Sequence, residues 1–266
     1  MYYEVAIVTG GASGIGKEIC LYLAGKGVKV IIADLNYEKA KEVEDIIIKA
    51  GGEGRAMKTD VSESPEVEAM IKETYEQYKR LDLLVNNAGI SINGEFQDMD
   101  LAGWEKIFSV NFMGVLYGTY YVYPIMMKQG YGQIVNVSSL AGLMPGGLMT
   151  SYSASKHSVV GFTLSLRAEA KQYGIKVNAL CPGFLETPIH DVTPNVSEYL
   201  NSEKNKRTAN KYPTAKDVIK PMMRGIERNR AIIIAPYKHK VYWWLYRMFP
   251  ALIPVMWGKI IRYLKK

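Results

Sequence analysis

Tyr152 and Lys156 stand four residues apart in the stretch Ser151-Tyr152-Ser153-Ala154-Ser155-Lys156. At the start of a helix that spacing puts both side chains on one face. An ammonium beside a phenol favours the phenolate and draws the tyrosine pKa down from about 10. A phenol tuned in this way can give or take a proton at a substrate oxygen. Taken alone the pair is weak, because Tyr and Lys at i and i+4 decorate many surface helices. Its meaning depends on the residues around it.

A second group has the types needed to hold phosphate. Thr9-Gly10-x-x-x-Gly14-x-Gly16, with Ser13 and Ile15 inside the turn, follows the apolar run Val5-Ala6-Ile7-Val8. Glycines there let the backbone turn tightly and let a pyrophosphate approach the free N–H groups at a helix start. The spacing is not the general G-x-G-x-x-G fingerprint. Asp34, followed by Leu35, ends the next apolar run. A carboxylate at that place accepts hydrogen bonds from a ribose hydroxyl and repels a 2′-phosphate. No Lys or Arg stands among Gly11, Ala12 and Ser13 or directly after Asp34. NAD is therefore favoured, with NADP the lesser alternative; a solvated loop aspartate is the blander reading.

These residues need a frame. Apolar runs at 5–8, 28–33, 54–59, 81–85, 133–137, 175–180 and 231–235 read as strands, most of them buried on both faces. Helical patterns lie between them at about 15–26, 37–50, 65–79, 101–129, 152–173 and 214–229. The alternation predicts an α/β, Rossmann-type doubly wound parallel sheet with helices on both faces. Residues 1–236 form one domain in this reading, and 237–266 a basic aromatic C-terminal tail. Residues 184–212 read as a flap.

The chain resembles the short-chain dehydrogenase/reductase family, and within it the NAD-dependent hydroxysteroid-type enzymes. The resemblance spans about residues 4–236. It rests on the Thr9–Gly16 turn, Asp60-Val61, Asn86-Asn87-Ala88-Gly89, Asn111, Ser139, Tyr152-x-x-x-Lys156, and Pro182-Gly183 with Thr187. It implies that Tyr152 is the acid/base, that Ser139 holds the substrate oxygen, and that Lys156 tunes Tyr152 and binds the nicotinamide ribose. Ser138 ranks second to Ser139. Asn111 would hold a water linking Lys156 to solvent. Asp60 and Val61 would touch adenine, and Asn87, Ala88 and Gly89 would line the adenosine and ribose side. Pro182, Gly183 and Thr187 would fix the nicotinamide amide. The family habit also implies a homodimer or homotetramer through the helices at about 101–129 and 152–173.

The chain's formal charge is +7, yet residues 1–236 hold 26 Lys or Arg against 26 Asp or Glu. The excess belongs to the last thirty residues, which carry seven cations and no acid. That argues against a nucleic-acid surface on the body. The tail also holds three of the four tryptophans, and rings mixed with cations suit peripheral membrane contact. An oligomer contact or a lid over the site is the competing reading. His239 reads as one more polar tail group. Cys20 and Cys181 form neither a disulfide framework nor a metal site, and no leader pattern opens the chain, so a cytoplasmic location fits.

Ile90 to Phe96, the uncharged run Leu140 to Met149 and the flap are expected to line the substrate pocket. Leucines and methionines there suit a bulky apolar alcohol or ketone. The expected function is interconversion of a secondary alcohol and a ketone on a hydrophobic molecule, such as a hydroxysteroid, bile-acid-like or lipid alcohol. The alternatives are an NADPH-dependent ketoacyl or carbonyl reductase, and a non-catalytic cofactor-binding scaffold.

Overall fold

The computed structural model describes residues 3–186, 193–201 and 212–265. Seven parallel strands form one sheet: β1 (Val5–Thr9), β2 (Lys29–Asp34), β3 (Gly54–Lys58), β4 (Leu83–Asn86), β5 (Gly132–Val137), β6 (Ile175–Pro182) and β7 (Ile232–Ala235). Their spatial order is β3-β2-β1-β4-β5-β6-β7. The chain winds outward from β1 to β3 and then returns to place β4 on the other side of β1. The crevice between β1 and β4 is thus the point where strand order reverses, which is where such sheets bind ligands. The doubly wound sheet read from the alternation of elements is the fold found.

Helices cover both faces because the strands bury both. On one face α1 (Gly14–Ala24), α2 (Tyr37–Lys49) and α7 (Ala215–Glu227) cover the sheet with Ile19, Val43 and Met222. On the other, α3 (Ser64–Tyr78), α5 (Gly114–Gln129) and α6 (Thr150–Ala170) bring Ile71, Met126 and Ala170 to a second layer. Two further helices, α8 (His239–Met248) and α9 (Leu252–Leu264), follow β7. Among the described residues no helix is long and apolar enough to cross a membrane.

Most ends shift by a residue or two, and three differences have a clear cause. The fourth strand starts at Leu83 rather than 81, because Asp82 turns its carboxylate to the N–H groups of Glu4 and Val5, each at 2.8 Å. The sixth strand runs on through Cys181 to Pro182, because β7 pairs with it as far as Ala235. The expected helix over 101–129 is α4 (Leu101–Phe108), a π turn at Ser109–Met113, and then α5. A π turn takes an N–H off the regular helical ladder and recurs at functional positions.

Candidate active site

A cavity of about 1450 Å³ opens at the C-terminal ends of β1, β4, β5 and β6. One end is built from the glycine turn. Gly10 and Gly14 hold left-handed φ of 62° and 51°, which side chains disfavour. A Cβ on Gly16 would lie 2.1 Å from the Gly10 carbonyl oxygen, so the helix start packs directly on the turn. Thr9 accepts from the N–H groups of Asn87 (3.0 Å) and Ala88 (3.1 Å), and Asn87 Nδ2 donates to the Thr9 and Gly10 carbonyls at 2.9 and 3.0 Å. These bonds tie the turn to the loop after β4. Thr9 and Gly16 stand behind the wall, whereas Gly10, Ser13, Gly14 and Ile15 face the cavity. The cradle fits a pyrophosphate, since a Cβ at Gly10 or Gly16 would collide with backbone.

Asp34 ends β2 at the same rim, with its carboxylate accepting from the N–H groups of Ala12 (3.0 Å) and Asn36 (2.9 Å). Leu35, Asp60, Val61, Asn87, Ala88 and Gly89 complete this end. Asp60 Oδ1 accepts from both the N–H and the hydroxyl of Ser62, at 2.9 and 2.6 Å. Lys58 is the register partner of Asp34 across β2 and β3, and both line a shallow depression there. The sequence reading looked for cations only beside the turn and after Asp34, so it missed this one.

At the other end α6 sets Tyr152 and Lys156 one turn apart. Lys156 is buried, donates to the Val137 carbonyl at 3.0 Å, and lies 5.7 Å from the centroid of the Tyr152 ring. Burial pulls the ammonium down to about 8. Burial also pushes the Tyr152 phenol up, and a hydrogen bond with the Ser139 hydroxyl only partly offsets this. The expected lowering of Tyr152 by Lys156 is therefore not what the protein alone displays. Each charged form is penalised by its own loss of water, and the ammonium is turned to a carbonyl and a ring face. Burial likewise pushes the neighbouring Cys181 thiol up to about 12.

The two adjacent serines divide. Ser138 is buried and donates to the Lys156 carbonyl at 2.8 Å, which ties β5 to α6. Both line the cavity, but Ser139 stands where its hydroxyl lowers the Tyr152 phenol, and it accepts from the Ala141 N–H at 3.1 Å. Asn111 lies in the π turn, fully buried behind the wall. Its amide accepts from the Ile90 N–H (2.8 Å) and donates to the Ile90 carbonyl (3.0 Å) and Ser155 (3.1 Å). Asn111 Oδ1 and Lys156 Nζ both stand 3.2 Å from the point a Cβ on Gly89 would occupy, so Gly89 lets them converge.

Pro182 and Gly183 line the cavity beyond β6; Thr187 lies outside the described residues. Ile90, Ser91 and Asn93, with most of 140–149, line the cavity, whereas Leu143 turns into a core cluster and Phe96 packs edge-on against Trp104. Leu148 holds a left-handed φ of 61°, and its carbonyl accepts from the Gly94 N–H at 2.8 Å. The tail, read above as a lipid contact, an oligomer contact or a lid, reaches the cavity. Tyr242, Leu245 and Tyr246 of α8, with Phe249 just past its end, then Ile253 and Trp257 of α9, supply a wall of the cavity. Their i, i+3, i+4, i+7 spacing in α8 was a readable helix face. His239 is not a loose polar group: it is 4% exposed, packs on Gly183, and its Nδ1 has no partner. Its place depends on long-range packing, for which the local sequence carries no signal. Among the described residues no cluster of three or more His, Cys, Asp or Glu is arranged to hold a metal.

A glycine cradle at a switch point, with Ser, Tyr and Lys converging at the far end of one cavity, defines a dinucleotide-linked oxidoreductase. Residues 4–196 match the short chain dehydrogenase family, and the chain belongs to it. It is 39% identical over 198 residues to a 3-oxoacyl-[acyl-carrier-protein] reductase of Synechocystis, covering 73% of this chain and 78% of that one. It is 36% identical to a cyclohexanol dehydrogenase of Acinetobacter, covering 70% and 74%. A short chain dehydrogenase/reductase from Burkholderia phymatum, solved in complex with NAD, superposes with a TM-score of 0.84 at 30% identity, covering 94% and 95%. An actinorhodin polyketide ketoreductase solved with NADPH gives 0.68 at 39% identity, covering 70% and 72%.

Proposed function

We propose that the protein is an NAD-dependent dehydrogenase/reductase acting on a secondary alcohol or ketone of a bulky apolar molecule, with hydroxysteroids, bile-acid-like compounds and lipid alcohols the leading classes. Residues 1–236 serve as the catalytic domain and 237–266 as its tail. The observation that carries the reading is the single cavity, with a nucleotide cradle and Asp34 at one end and Ser139, Tyr152 and Lys156 at the other, walled by apolar α8 and α9 residues. The nicotinamide, when bound, supplies or takes the hydride. Ser139 holds the substrate oxygen by a hydrogen bond. Tyr152 passes the phenolic proton to that oxygen in reduction, or takes the hydroxyl proton in oxidation. Lys156 binds the nicotinamide ribose and stabilises the phenolate when it forms. Asn111 holds the Ile90 backbone and α6 in register and so positions Lys156. Gly183, packed on His239, fixes the nicotinamide side. Assembly as a homodimer or homotetramer, a cytoplasmic location and peripheral contact of the tail with lipid belong to the same reading.

Lys58 beside Asp34 favours a second reading, a ketoacyl reductase using NADPH, since a cation there can meet a 2′-phosphate. Turnover of steroid, bile-acid and long-chain alcohols, and of ketoacyl thioesters, with each cofactor separates the two. NAD-linked oxidation of an apolar alcohol is expected. Tyr152→Phe is expected to abolish turnover and leave cofactor binding intact; near-normal turnover in that variant overturns the mechanism.

A further inference from the structure

The helices that wall the cavity present a second apolar surface to solvent. Along α8, Val241, Trp244 and Met248 recur at i, i+3 and i+7, and none of them lines the cavity. At 100° per residue this stripe lies about a third of a turn from the cavity face formed by Tyr242, Leu245 and Phe249. Trp243 occupies a third face and packs on the body beside Leu143 and Cys181. In α9, Leu252, Val255 and Met256 line the cavity and are also open to solvent, so they form its lip. These six side chains are between 46% and 65% exposed.

The charge around them has one sign. Of the described tail cations, Lys265 pairs with Glu95 of the body at 2.6 Å. Among the described residues Lys238, Lys240, Arg247, Lys259 and Arg262 have no acidic partner. Lys240 and Arg247 border the α8 stripe on one side, over the rings of Tyr237 (5.4 Å) and Trp243 (5.3 Å), and Lys238 and Lys259 stand among the cavity-lining residues. The pair is held on the body by Trp257, whose ring lies 2.8 Å from the place of a Cβ on Gly147, and by the Lys265–Glu95 pair.

We propose that α8 and α9 dock the protein on an anionic lipid surface. The Val241/Trp244/Met248 stripe enters the headgroup boundary and the tail cations meet lipid phosphates. The Leu252/Val255/Met256 lip then opens the cavity towards the apolar phase, from which the substrate enters. Helices of this length lie in the interface and do not cross the bilayer. The substrate-entry half of the proposal rests on the reading of the cavity as a site for an apolar alcohol; the docking half does not.

The test is sedimentation of the full chain with phosphatidylcholine vesicles, with and without about one third phosphatidylglycerol. The expected result is binding to the anionic vesicles that weakens in high salt. The V241Q/W244Q/M248Q variant should lose more than about tenfold in partitioning. K240Q/R247Q, which keeps the apolar stripe, should lose about fivefold per cation. Turnover of a short water-soluble alcohol should be unchanged in both variants, and turnover of a long-chain alcohol delivered in anionic vesicles should fall with binding. Equal partitioning of wild type and both variants, or no binding to anionic vesicles, overturns the proposal. A wild-type oligomer that V241Q/W244Q/M248Q converts to monomers also overturns it, by assigning the stripe to a contact between copies. Vesicle binding with no turnover of any alcohol leaves the docking standing and removes the dehydrogenase reading.

Discussion

A methyl group added at Gly183 would land 1.8 Å from Nδ1 of His239, against an ordinary contact distance that begins at 3.4 Å. The shortfall is about 1.6 Å, and the imidazole has nowhere to go. It is 4% exposed and lies between the rings of Phe184 and Tyr242, each 5.7 Å away by centroid. Gly183→Ala must therefore push α8 off the end of β6. Overpacking of this kind costs about 2 kcal/mol, which for a chain of this size lowers Tm by about 4–8 °C. His239→Ala removes the obstacle. It also removes a buried nitrogen with no partner, a burden of about 1–3 kcal/mol, so that variant should lose less stability than the size of the ring implies. In Gly183→Ala/His239→Ala the alanine at 183 should be nearly free of cost, a coupling of about 2 kcal/mol between the sites. Urea denaturation followed by tryptophan fluorescence measures all four proteins, and three of the four tryptophans lie in the tail being displaced. If Gly183→Ala matches wild type, or if the double variant simply adds its parents' losses, the tail is not anchored at this point.

Lys156 gives a pH signature. Its folded pKa is pulled down to about 8 from 10.5, so the folded protein carries the full cost of a buried ammonium below about pH 8. From there towards 10.5 the unfolded chain keeps a proton that the folded one has released, so stability from this group rises with pH. Lys156→Met should lack that rise, and urea midpoints across about pH 7 to 10 check it; parallel profiles refute the assignment. Above pH 10 the raised phenol of Tyr152 acts in the opposite sense, since the unfolded chain ionises first. The two serines should separate in a single comparison. Ser138→Ala removes the buried bond to the Lys156 carbonyl and should cost about 1 kcal/mol of stability, whereas Ser139→Ala should lower kcat about a hundredfold with the fold intact, as denaturation and steady-state kinetics would show.

Much of the frame is legible in the chain because parallel strands buried on both faces read as unbroken apolar runs, as in Val5 to Val8. The gathering of Gly10, Ser139, Tyr152 and Lys156 on one cavity could be anticipated for a similar reason. Each stands at a strand end or a helix start, and strict alternation of elements sends all such ends to one edge of the sheet. What escaped the reading depends on partners distant in sequence. Asp82 looks like part of a strand until its carboxylate is seen on the Glu4 and Val5 amides. Lys58 meets Asp34 only through strand register. His239 looks like an ordinary polar group until it is found against Gly183, fifty-six residues earlier. The ranking of Ser139 above Ser138 came from the family resemblance, because alternation along a strand end says that they point apart but not which one meets the ligand.

The wall contributed by α8 and α9 lies wholly beyond residues 4–196, the stretch shared with the family. The facing lining, with Ile90, Ser91, Asn93 and Met144, lies within that stretch, so both parts of the chain shape the cavity. A comparison over residues 4–196 alone is made without the wall of α8 and α9. An exchange or removal of residues 238–259 therefore reshapes the cavity itself as well as the surface those helices present.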